Sequence, residues 1–229
     1  MIVVPTYNER ENLLPLIEQM EGLGLGLDVL VVDDNSPDGT GRLAQELAAA
    51  RSWLHVMHRP GKLGLGTAYV EGFRYALDKG FDVVGEMDAD LSHNPAFLPA
   101  MLRALEDADL VLGSRYLPGG GVRNWGMMRK IISQGGSLYA RTILGVGVRD
   151  LTGGYKLFRR QVLENLSLDA VRSNGYSFQV EMTYRAIRRG YRVVEVPIVF
   201  EDRRVGKSKL SRQVVLEAML MVPRLKLGG

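Results

Sequence analysis

The first half of the chain alternates between short apolar runs and longer segments in which apolar residues recur every three or four positions. The short runs, many of them rich in β-branched residues, predict strands at 2–5, 29–32, 53–57, 81–87 and 110–113. The longer segments predict helices at 11–20, 41–50, 66–79 and 97–105. Strands that are apolar along almost their whole length and alternate with helices are typical of a parallel sheet covered on both faces. The pattern therefore predicts an α/β fold built on a single, mostly parallel sheet.

The second half is less regular, and it carries no repeat, low-complexity segment or linker that would mark a second domain. Its apolar pattern predicts strands at 155–158 and 193–199 and helices at 130–144 and 179–189. Residues 211–227 combine apolar positions at helical spacing with basic residues near both ends, which predicts an amphipathic helix. Such a helix either packs on the core, the commoner arrangement, or lies on a membrane surface.

Composition narrows the possible functions. The 229 residues include no cysteine, which excludes disulfides, a thiolate zinc site and a cysteine nucleophile. The 29 basic and 26 acidic residues leave a net charge of +3, which is too balanced to indicate nucleic acid as a partner. No secretory signal is visible, and no run approaches the about 18 apolar residues of a membrane span. We therefore expect a protein that is soluble or peripheral to a membrane.

Polar residues cluster immediately after several of the predicted strands, at 5–9, 33–36 and 88–90. Because the carboxyl ends of parallel strands meet at one edge of a sheet, we expect these clusters to converge and to bind a ligand there. Asp88 and Asp90 stand two positions apart in an extended segment, so their side chains point to the same side. Two such carboxylates repel each other unless a cation lies between them, and oxygen ligands suit Mg²⁺ or Mn²⁺.

Several other residues have both a functional and an ordinary structural interpretation. Asp34 ends a predicted strand and is expected to bind a base or ribose, although the residues after it are also typical of a turn. The glycine-rich segment 61–66 lacks the Lys-Ser or Lys-Thr of a phosphate-binding loop, so it is interpreted as a flexible connection with Lys62 near phosphate. His93 is interpreted as structural. The basic segment 203–209 either closes over phosphates or forms an exposed turn.

Taken together, the motifs resemble inverting glycosyltransferases of family 2 with a GT-A fold, and among these the dolichol-phosphate (polyprenol-phosphate) mannose synthases. The continuation Ser-Pro-Asp-Gly-Thr at 36–40, the segment 119–125 and the segment 206–209 are the features most specific to the mannose synthases. The resemblance covers nearly the whole chain. The matching segments occur in the family's order at 4–9, 32–40, 87–93, 113–116, 151–155 and 203–209.

The resemblance implies that mannose passes from GDP-mannose to a polyprenyl (dolichyl-type) phosphate, with Mg²⁺ or Mn²⁺ as cofactor and inversion at the anomeric carbon. It implies donor binding by Pro5, Tyr7, Glu9, Val32, Asp34, Asp88, Ala89, Asp90, Arg115, Arg203 and Lys209. It implies binding of the acceptor phosphate by Arg115, Arg129 and Ser133. It implies metal binding by Asp88 and Asp90. Ser92 occupies the position of a third ligand, where a water would stand between its hydroxyl and the metal. The catalytic residues it implies are Asp90, Arg115 and Lys209.

The resemblance also bears on organisation and location. It assigns residues 1–210 to a GT-A catalytic domain, and residues 211–229 to a C-terminal amphipathic helix and tail of the same unit. Many members carry transmembrane hairpins after the catalytic domain, and this chain resembles the type without them. We therefore expect it to bind the cytoplasmic face of a membrane peripherally, with a separate membrane-anchor protein as an additional partner.

Other functions are compatible with part of the pattern. A polyprenyl-phosphate glucosyltransferase that uses UDP-glucose would share the fold and the metal motif, and only donor competition separates it from a mannose synthase. A phosphohydrolase with a nucleophilic aspartate needs its Asp-x-Asp after the first strand, whereas here the motif follows the fourth. A membrane-docking module without activity would not need the carboxylate and cation sets.

Overall fold

The computed structural model of the chain describes residues 1–171, 173, 175–202 and 212–227. The strands in this part of the chain are β1 (Ile2–Thr6), β2 (Val29–Asp33), β3 (Leu54–His58), β4 (Val83–Glu86), β5 (Leu110–Ser114), β6 (Gly121–Arg123), β7 (Lys156–Arg159), β8 (Val193–Pro197) and β9 (Val199–Glu201). The α-helices are α1 (Arg10–Gly22), α2 (Thr40–Ala48), α3 (Leu65–Asp78), α4 (Leu98–Glu106), α5 (Met127–Leu144), α6 (Arg160–Asn165), α7 (Gly175–Arg188) and α8 (Arg212–Leu227). Short 3₁₀ turns occupy Pro95–Phe97 and Leu168–Ala170.

A central sheet of seven strands organises the molecule, in the order β3-β2-β1-β4-β7-β5-β8. Neighbouring strands are parallel except where β7 pairs antiparallel with β4 and with β5. The predicted α/β fold with a single, mostly parallel sheet covered by helices is therefore confirmed. Strands β6 and β9 form a separate parallel pair beside this sheet.

The predicted elements of the first half are all present, and their ends agree within two residues. The prediction of one strand at 193–199 was wrong, because the segment divides after Pro197. Up to that residue it pairs with β5 in the main sheet, and from Val199 onward it pairs with β6. The Ile198 N–H donates to the Ser114 carbonyl at the point of division. Strand β6 and helix α6 were not predicted.

Helices cover both faces of the sheet because the strands are apolar on both sides. Val3 and Val32 face a layer formed by α3, α5, α6, α7 and α8. Ile2 and Val31 face the opposite layer, formed by α1, α2 and α4. This is the arrangement expected for a buried parallel sheet.

The C-terminal helix α8 packs against α5 and α7, and its Val222 is buried in the first of these layers. Packing on the core, the commoner of the two arrangements considered for this segment, is therefore present. Leu220 and Leu227 are nevertheless exposed. None of the helices described combines the length and the apolar character that would carry it across a bilayer.

The carboxyl ends of β1, β2, β4 and β5 lie along one edge of the sheet. Within two residues of the ends of β1 and β2, and five residues after β4, the backbone enters the left-handed region at Asn8, Asn35 and Leu91, with φ of 60°, 55° and 63°. Asparagine tolerates this conformation, whereas leucine adopts it rarely. Polar residues that follow β1, β2 and β4 line one common cavity.

Candidate active site

A cavity of about 330 Å³ lies at this edge of the sheet. The polar clusters that follow β1, β2 and β4 converge on it, as the sequence predicts. The predicted site residues that line the cavity are Pro5, Tyr7, Glu9, Asp34, Asp88, Ala89, Asp90, Arg115 and Arg129. The cavity therefore brings together two carboxylates of the proposed metal motif and two arginines.

The segment after β4 holds Asp88 and Asp90 at the cavity by a tight turn. The Asp88 N–H donates to His93 Nδ1 at 3.0 Å. Asp90 Oδ1 accepts the Ser92 N–H at 3.1 Å and also the Ser92 hydroxyl. The positive φ of Leu91 lies between these bonds, so the turn is maintained against local backbone strain. Backbone strain of this kind is often found at functional sites.

Ser92 itself is buried beneath this turn and does not line the cavity. Its hydroxyl and its N–H both donate to Asp90, so its observed contacts support that carboxylate. A role for Ser92 as a metal ligand remains a prediction from the family resemblance.

The carboxylates of Asp88 and Asp90 suit a hard divalent cation, with oxygen atoms of the substrate as its remaining ligands. Asp88 and Asp90 supply two carboxylates to the same cavity. The described residues contain no group of three or more His, Cys, Asp or Glu side chains arranged to hold a metal. Mg²⁺ sites commonly use one or two carboxylates together with substrate phosphates and water, so a pair of this kind is sufficient.

His93 supports the metal motif from below. Its ring is buried, stacks on Tyr155 with centroids 5.1 Å apart, and meets Phe200 edge-on. Burial lowers the pKa of His93, and a neutral ring is what allows Nδ1 to accept the Asp88 N–H. The contacts agree with the structural interpretation of this histidine.

Asp34, which also lines the cavity, is held by Arg59, a residue that sequence reasoning missed. Arg59 Nη1 donates to Asp34 Oδ1 at 2.6 Å, and Nη2 donates to the Thr67 hydroxyl at 2.6 Å. Burial raises the pKa of Asp34, while the charge and hydrogen bond of Arg59 oppose that rise. Arg59 is itself buried, and the ion pair therefore fixes Asp34 beside the cavity.

Asp33 and Asp34 have different surroundings despite being adjacent. Asp33 is buried, accepts the Thr6 hydroxyl at 3.0 Å and the Ser36 N–H at 3.0 Å, and so closes the turn after β2. Asp34 lines the cavity. Nearby, the Lys62 ammonium lies 4.1 Å from the centroid of the Tyr7 ring, and both residues line the cavity.

Arg115 forms a buried ion pair with Asp150. Its Nε donates to Asp150 Oδ2 at 2.7 Å, and its Nη2 donates to Asp150 Oδ1 at 2.6 Å and to the Thr152 hydroxyl at 2.9 Å. Burial alone would raise the pKa of Asp150, but the charge and hydrogen bonds of Arg115 outweigh it and lower that pKa. The pair fixes the guanidinium in one orientation at the wall of the cavity.

Arg129 and Ser133 lie one turn apart on α5, and the structure places them differently. Arg129 lines the cavity, stacks 4.1 Å from the centroid of Trp125, and donates through Nη1 to Asp202 Oδ1 at 2.6 Å. Ser133 does not line the cavity, and its hydroxyl accepts a hydrogen bond from the Tyr116 hydroxyl at 2.7 Å.

Comparison with known proteins decides the family. Residues 1–167 match the family described as glycosyl transferase family 2. The chain belongs to glycosyl transferase family 2. It is 49% identical over 231 aligned positions to a polyprenol monophosphomannose synthase of Mycolicibacterium smegmatis, covering 100% of this chain and 87% of that protein. It is 50% identical over 224 positions to an undecaprenyl-phosphate mannosyltransferase of Micrococcus luteus, covering 98% of this chain and 92% of that protein.

The fold of this family 2 protein is shared with a solved structure. Glucosyl-3-phosphoglycerate synthase from Mycobacterium tuberculosis, in complex with Mn²⁺, uridine diphosphate and glucosyl-3-phosphoglycerate, superposes with a TM-score of 0.69. The identity is 19%, and the match covers 98% of this chain and 78% of the other, so the likeness concerns the GT-A fold alone. The resemblance of the sequence to polyprenol-phosphate mannose synthases is confirmed by the two close relatives.

The remaining predicted residues of the family 2 site do not reach the cavity or lie outside the described residues. Val32 is fully buried in β2, with its side chain in the core. Arg203 and Lys209 lie outside the described residues, as does the whole of the segment 203–209 to which they belong.

A buried ion pair beneath the family 2 site was also missed from the sequence. Lys156 Nζ lies 3.0 Å from Glu86 Oε1, and neither side chain is exposed. Lys156 also donates to the carbonyl and the side-chain oxygen of Gln179, which lines the cavity. Burial raises the pKa of Glu86 to about 7 and lowers that of Lys156. Lys156 therefore links α7 to β4, the strand that precedes the metal motif.

Proposed function

We propose that the chain transfers mannose from GDP-mannose to a polyprenyl phosphate and forms a β-mannosyl phosphoryl polyprenol. The single observation that carries the proposal is the convergence of Asp88, Asp90, Arg115 and Arg129 on one cavity. A pair of carboxylates can bind the metal ion that accompanies the donor diphosphate, and guanidinium groups can bind the phosphate of the acceptor. The names of the two close relatives support mannose and a polyprenyl phosphate, and favour this donor over UDP-glucose.

In this proposal the acceptor supplies its own nucleophile. The second pKa of a phosphate monoester is about 6, so the lipid phosphate is largely dianionic at neutral pH and needs no protein base. The surroundings of His93 agree with this, because its ring is neutral, buried and engaged with the backbone of Asp88. A phosphate oxygen forms the new bond to the anomeric carbon as the bond to GDP breaks, which inverts the configuration.

The protein's task is then to hold two anionic substrates in line. Asp88 and Asp90 would hold Mg²⁺ or Mn²⁺, as suggested also by the Mn²⁺ in the neighbouring GT-A structure. When bound, the ion neutralises charge on the donor diphosphate and on the departing GDP. Arg115 and Arg129 would hold the lipid phosphate, with Ser133 beside them. Because these positive charges are already held in place, they need little reorganisation during the reaction.

The donor nucleoside would lie against the residues of the cavity at and after the ends of β1 and β2. We assign it to Pro5, Tyr7, Glu9 and Asp34, which line that region, with Val32 contributing at most its main chain. Arg59 would keep Asp34 in place. Arg203 and Lys209 are proposed, from the family resemblance, to clamp the donor diphosphate.

Helix α5 supports a peripheral position on a membrane. Met127 and Met128 are 73% and 69% exposed, and Ile131 and Leu138 are each 56% exposed. Large apolar residues exposed together are typical of a surface that contacts another apolar phase. Because Arg129 lies within the same helix and lines the cavity, binding of α5 to a bilayer would bring the cavity to the polyprenyl phosphate. The cytoplasmic face is our expectation, and an anchor protein is not required by this arrangement.

Metal-dependent binding of the donor tests the proposal. Calorimetric titration of GDP-mannose into the chain should show tighter binding with Mn²⁺ than with EDTA. Asp90→Asn removes one carboxylate charge with little change of shape, so the variant should stay folded. In the presence of Mn²⁺ its affinity for GDP-mannose should be lower than that of the unmodified chain by roughly tenfold or more. Metal-dependent turnover should be lost with it.

The matched control is Asp107→Asn, which changes an exposed carboxylate outside the cavity. It should bind GDP-mannose as the unmodified chain does. An Asp90→Asn protein with unchanged Mn²⁺ dependence would contradict the metal assignment. Tighter binding of UDP-glucose than of GDP-mannose would instead overturn the donor and leave the metal assignment intact.

A further inference from the structure

A second groove lies beside the active cavity, with a volume of about 560 Å³. Arg115 lines both spaces, whereas Arg141 and Arg149 line only the groove. The other walls include Gln134 and Leu138 of α5. The groove is open to solvent and does not coincide with the donor or acceptor residues assigned above, apart from the shared Arg115.

Two of the arginines that line the groove have no ionic partner among the residues that the structure describes. Within the part of the chain that the structure describes, the side chains of Arg141 and Arg149 make no hydrogen bond or ion pair, and no acidic residue lines the groove. Arg115, in contrast, is paired with Asp150. The carboxylate of Glu195 accepts the backbone N–H groups of residues 149 and 150.

The groove also opens along the exposed apolar side of α5. Gln134, Leu138 and Arg141 follow one another at spacings of four and three residues, so they lie on one side of the helix. Leu138 belongs both to this wall and to the exposed apolar surface that includes Ile131. When such a surface is buried at the acyl boundary of a bilayer, cations along its edge lie at the level of the lipid phosphates.

We propose that this groove binds the phosphate headgroup of an anionic bilayer lipid through Arg141 and Arg149. A guanidinium presents paired donors that match phosphate oxygens, and two guanidinium groups with no carboxylate partner among the described residues favour an anionic headgroup over a zwitterionic one. The bound headgroup would fix the orientation of α5 on the membrane and so direct the active cavity toward the bilayer surface. The inference rests on the membrane-surface part of the proposed function, and it does not depend on which sugar is transferred.

Vesicle flotation with the full chain tests the proposal. One set of vesicles is phosphatidylcholine, and the other contains about one fifth phosphatidylglycerol, at low ionic strength. Each arginine near an anionic surface strengthens binding by about fivefold, so Arg141→Gln should weaken binding to the anionic vesicles by about fivefold, and the Arg141→Gln/Arg149→Gln double variant by roughly 25-fold. Binding to phosphatidylcholine should not change.

Control variants separate a headgroup site from general charge. Arg103→Gln removes an exposed arginine of α4 that lines neither space, and it should lose much less binding than Arg141→Gln. Arg141→Lys keeps the charge and should recover part of the affinity. Thermal unfolding should show that each variant remains folded. Equal losses in Arg103→Gln and Arg141→Gln, or a double variant that binds anionic vesicles normally, would overturn the proposal.

A transfer assay in detergent distinguishes this site from the acceptor site. With polyprenyl phosphate in detergent micelles, the double variant should transfer sugar with the KM and kcat of the unmodified chain, because no bilayer headgroup is involved. A raised KM for the acceptor would mean that the arginines bind the polyprenyl phosphate, which contradicts the proposal. If the unmodified chain transfers no sugar, the proposed function fails while the vesicle result still decides the headgroup site.

Discussion

At the scale of single residues, the charged groups of the cavity depend on buried partners. Arg115 faces the cavity in one orientation because Asp150 accepts two of its N–H groups, and Asp34 is held in the same way by Arg59. A buried charge that loses its partner is strongly destabilising, because it remains desolvated without compensation. The partners are therefore as necessary to the site as the residues that line it.

The pH dependence of stability tests the Arg115–Asp150 pair. The pKa of Asp150 is lowered from its ordinary value of 3.8, so the pair stabilises the folded chain fully above that value and loses its effect as the pH falls through the lower folded-state pKa. Asp150→Asn should reduce the free energy of unfolding by about 3–5 kcal/mol at pH 7. Urea unfolding at pH 7 and at pH values below 4 measures both effects.

The difference between Asp150→Asn and the unmodified chain should shrink on acidification, because the unmodified chain loses the pair there as well. Asp78→Asn, at an exposed carboxylate on α3, should unfold like the unmodified chain at each pH. A difference that stays constant down to the lowest pH would show that Asp150 does not stabilise the fold through its charge.

The sequence could predict the residues that face the cavity far better than the residues that hold them. Asp34 and Asp88 follow apolar strands, and the position of a residue at a strand end is visible in the hydrophobic pattern. Arg59 and Asp150 are 25 and 35 residues away from their partners, and nothing local marks them. Lys156 was missed for a related reason, because a lysine inside a strand is ordinarily expected to reach solvent.

At the scale of elements, strands and helices were predictable where their periodicity was strong. The pattern of residues 155–158 predicted a strand, but periodicity does not reveal which strands it joins. In the structure, β7 inserts antiparallel between β4 and β5. The short strands β6 and β9 were missed or merged because three residues carry too little pattern to separate a strand from its neighbours.

The packing of α3 on β1 depends on a glycine. A Cβ atom built on Gly72 would overlap the side chain of Val3, which is fully buried. Gly72→Ala should therefore reduce the free energy of unfolding by about 1–3 kcal/mol, since overpacking forces the helix away from the strand. Urea unfolding of the variant measures this change.

Gly22→Ala provides the matched control, because a Cβ on Gly22, the last residue of α1, would meet nothing within 4 Å. It should be neutral or should stabilise the chain by up to about 1 kcal/mol, through the higher helix propensity of alanine. Equal effects at Gly72 and Gly22 would contradict close packing between α3 and β1.

At the scale of the whole molecule, α5 links the active cavity to the surface proposed to meet the membrane. Arg129 faces the cavity, Gln134 lines the second groove, and Ile131 is exposed between them. For residues 211–227 the sequence left open packing on the core, the commoner arrangement, or a membrane surface, and it did not indicate α5, on which the structure exposes several large apolar side chains. Exposure of this kind depends on which face of a helix the fold covers, and the sequence alone does not reveal that.

The most direct test of the proposed function is the transfer of labelled sugar to lipid. Purified chain is mixed with a polyprenyl phosphate in detergent, Mg²⁺, and labelled GDP-mannose or UDP-glucose, with and without EDTA, and the label in the organic phase is counted. We predict label from GDP-mannose that EDTA abolishes, and little or none from UDP-glucose. Label from UDP-glucose in preference to GDP-mannose, or transfer from GDP-mannose that EDTA does not affect, would contradict the proposal.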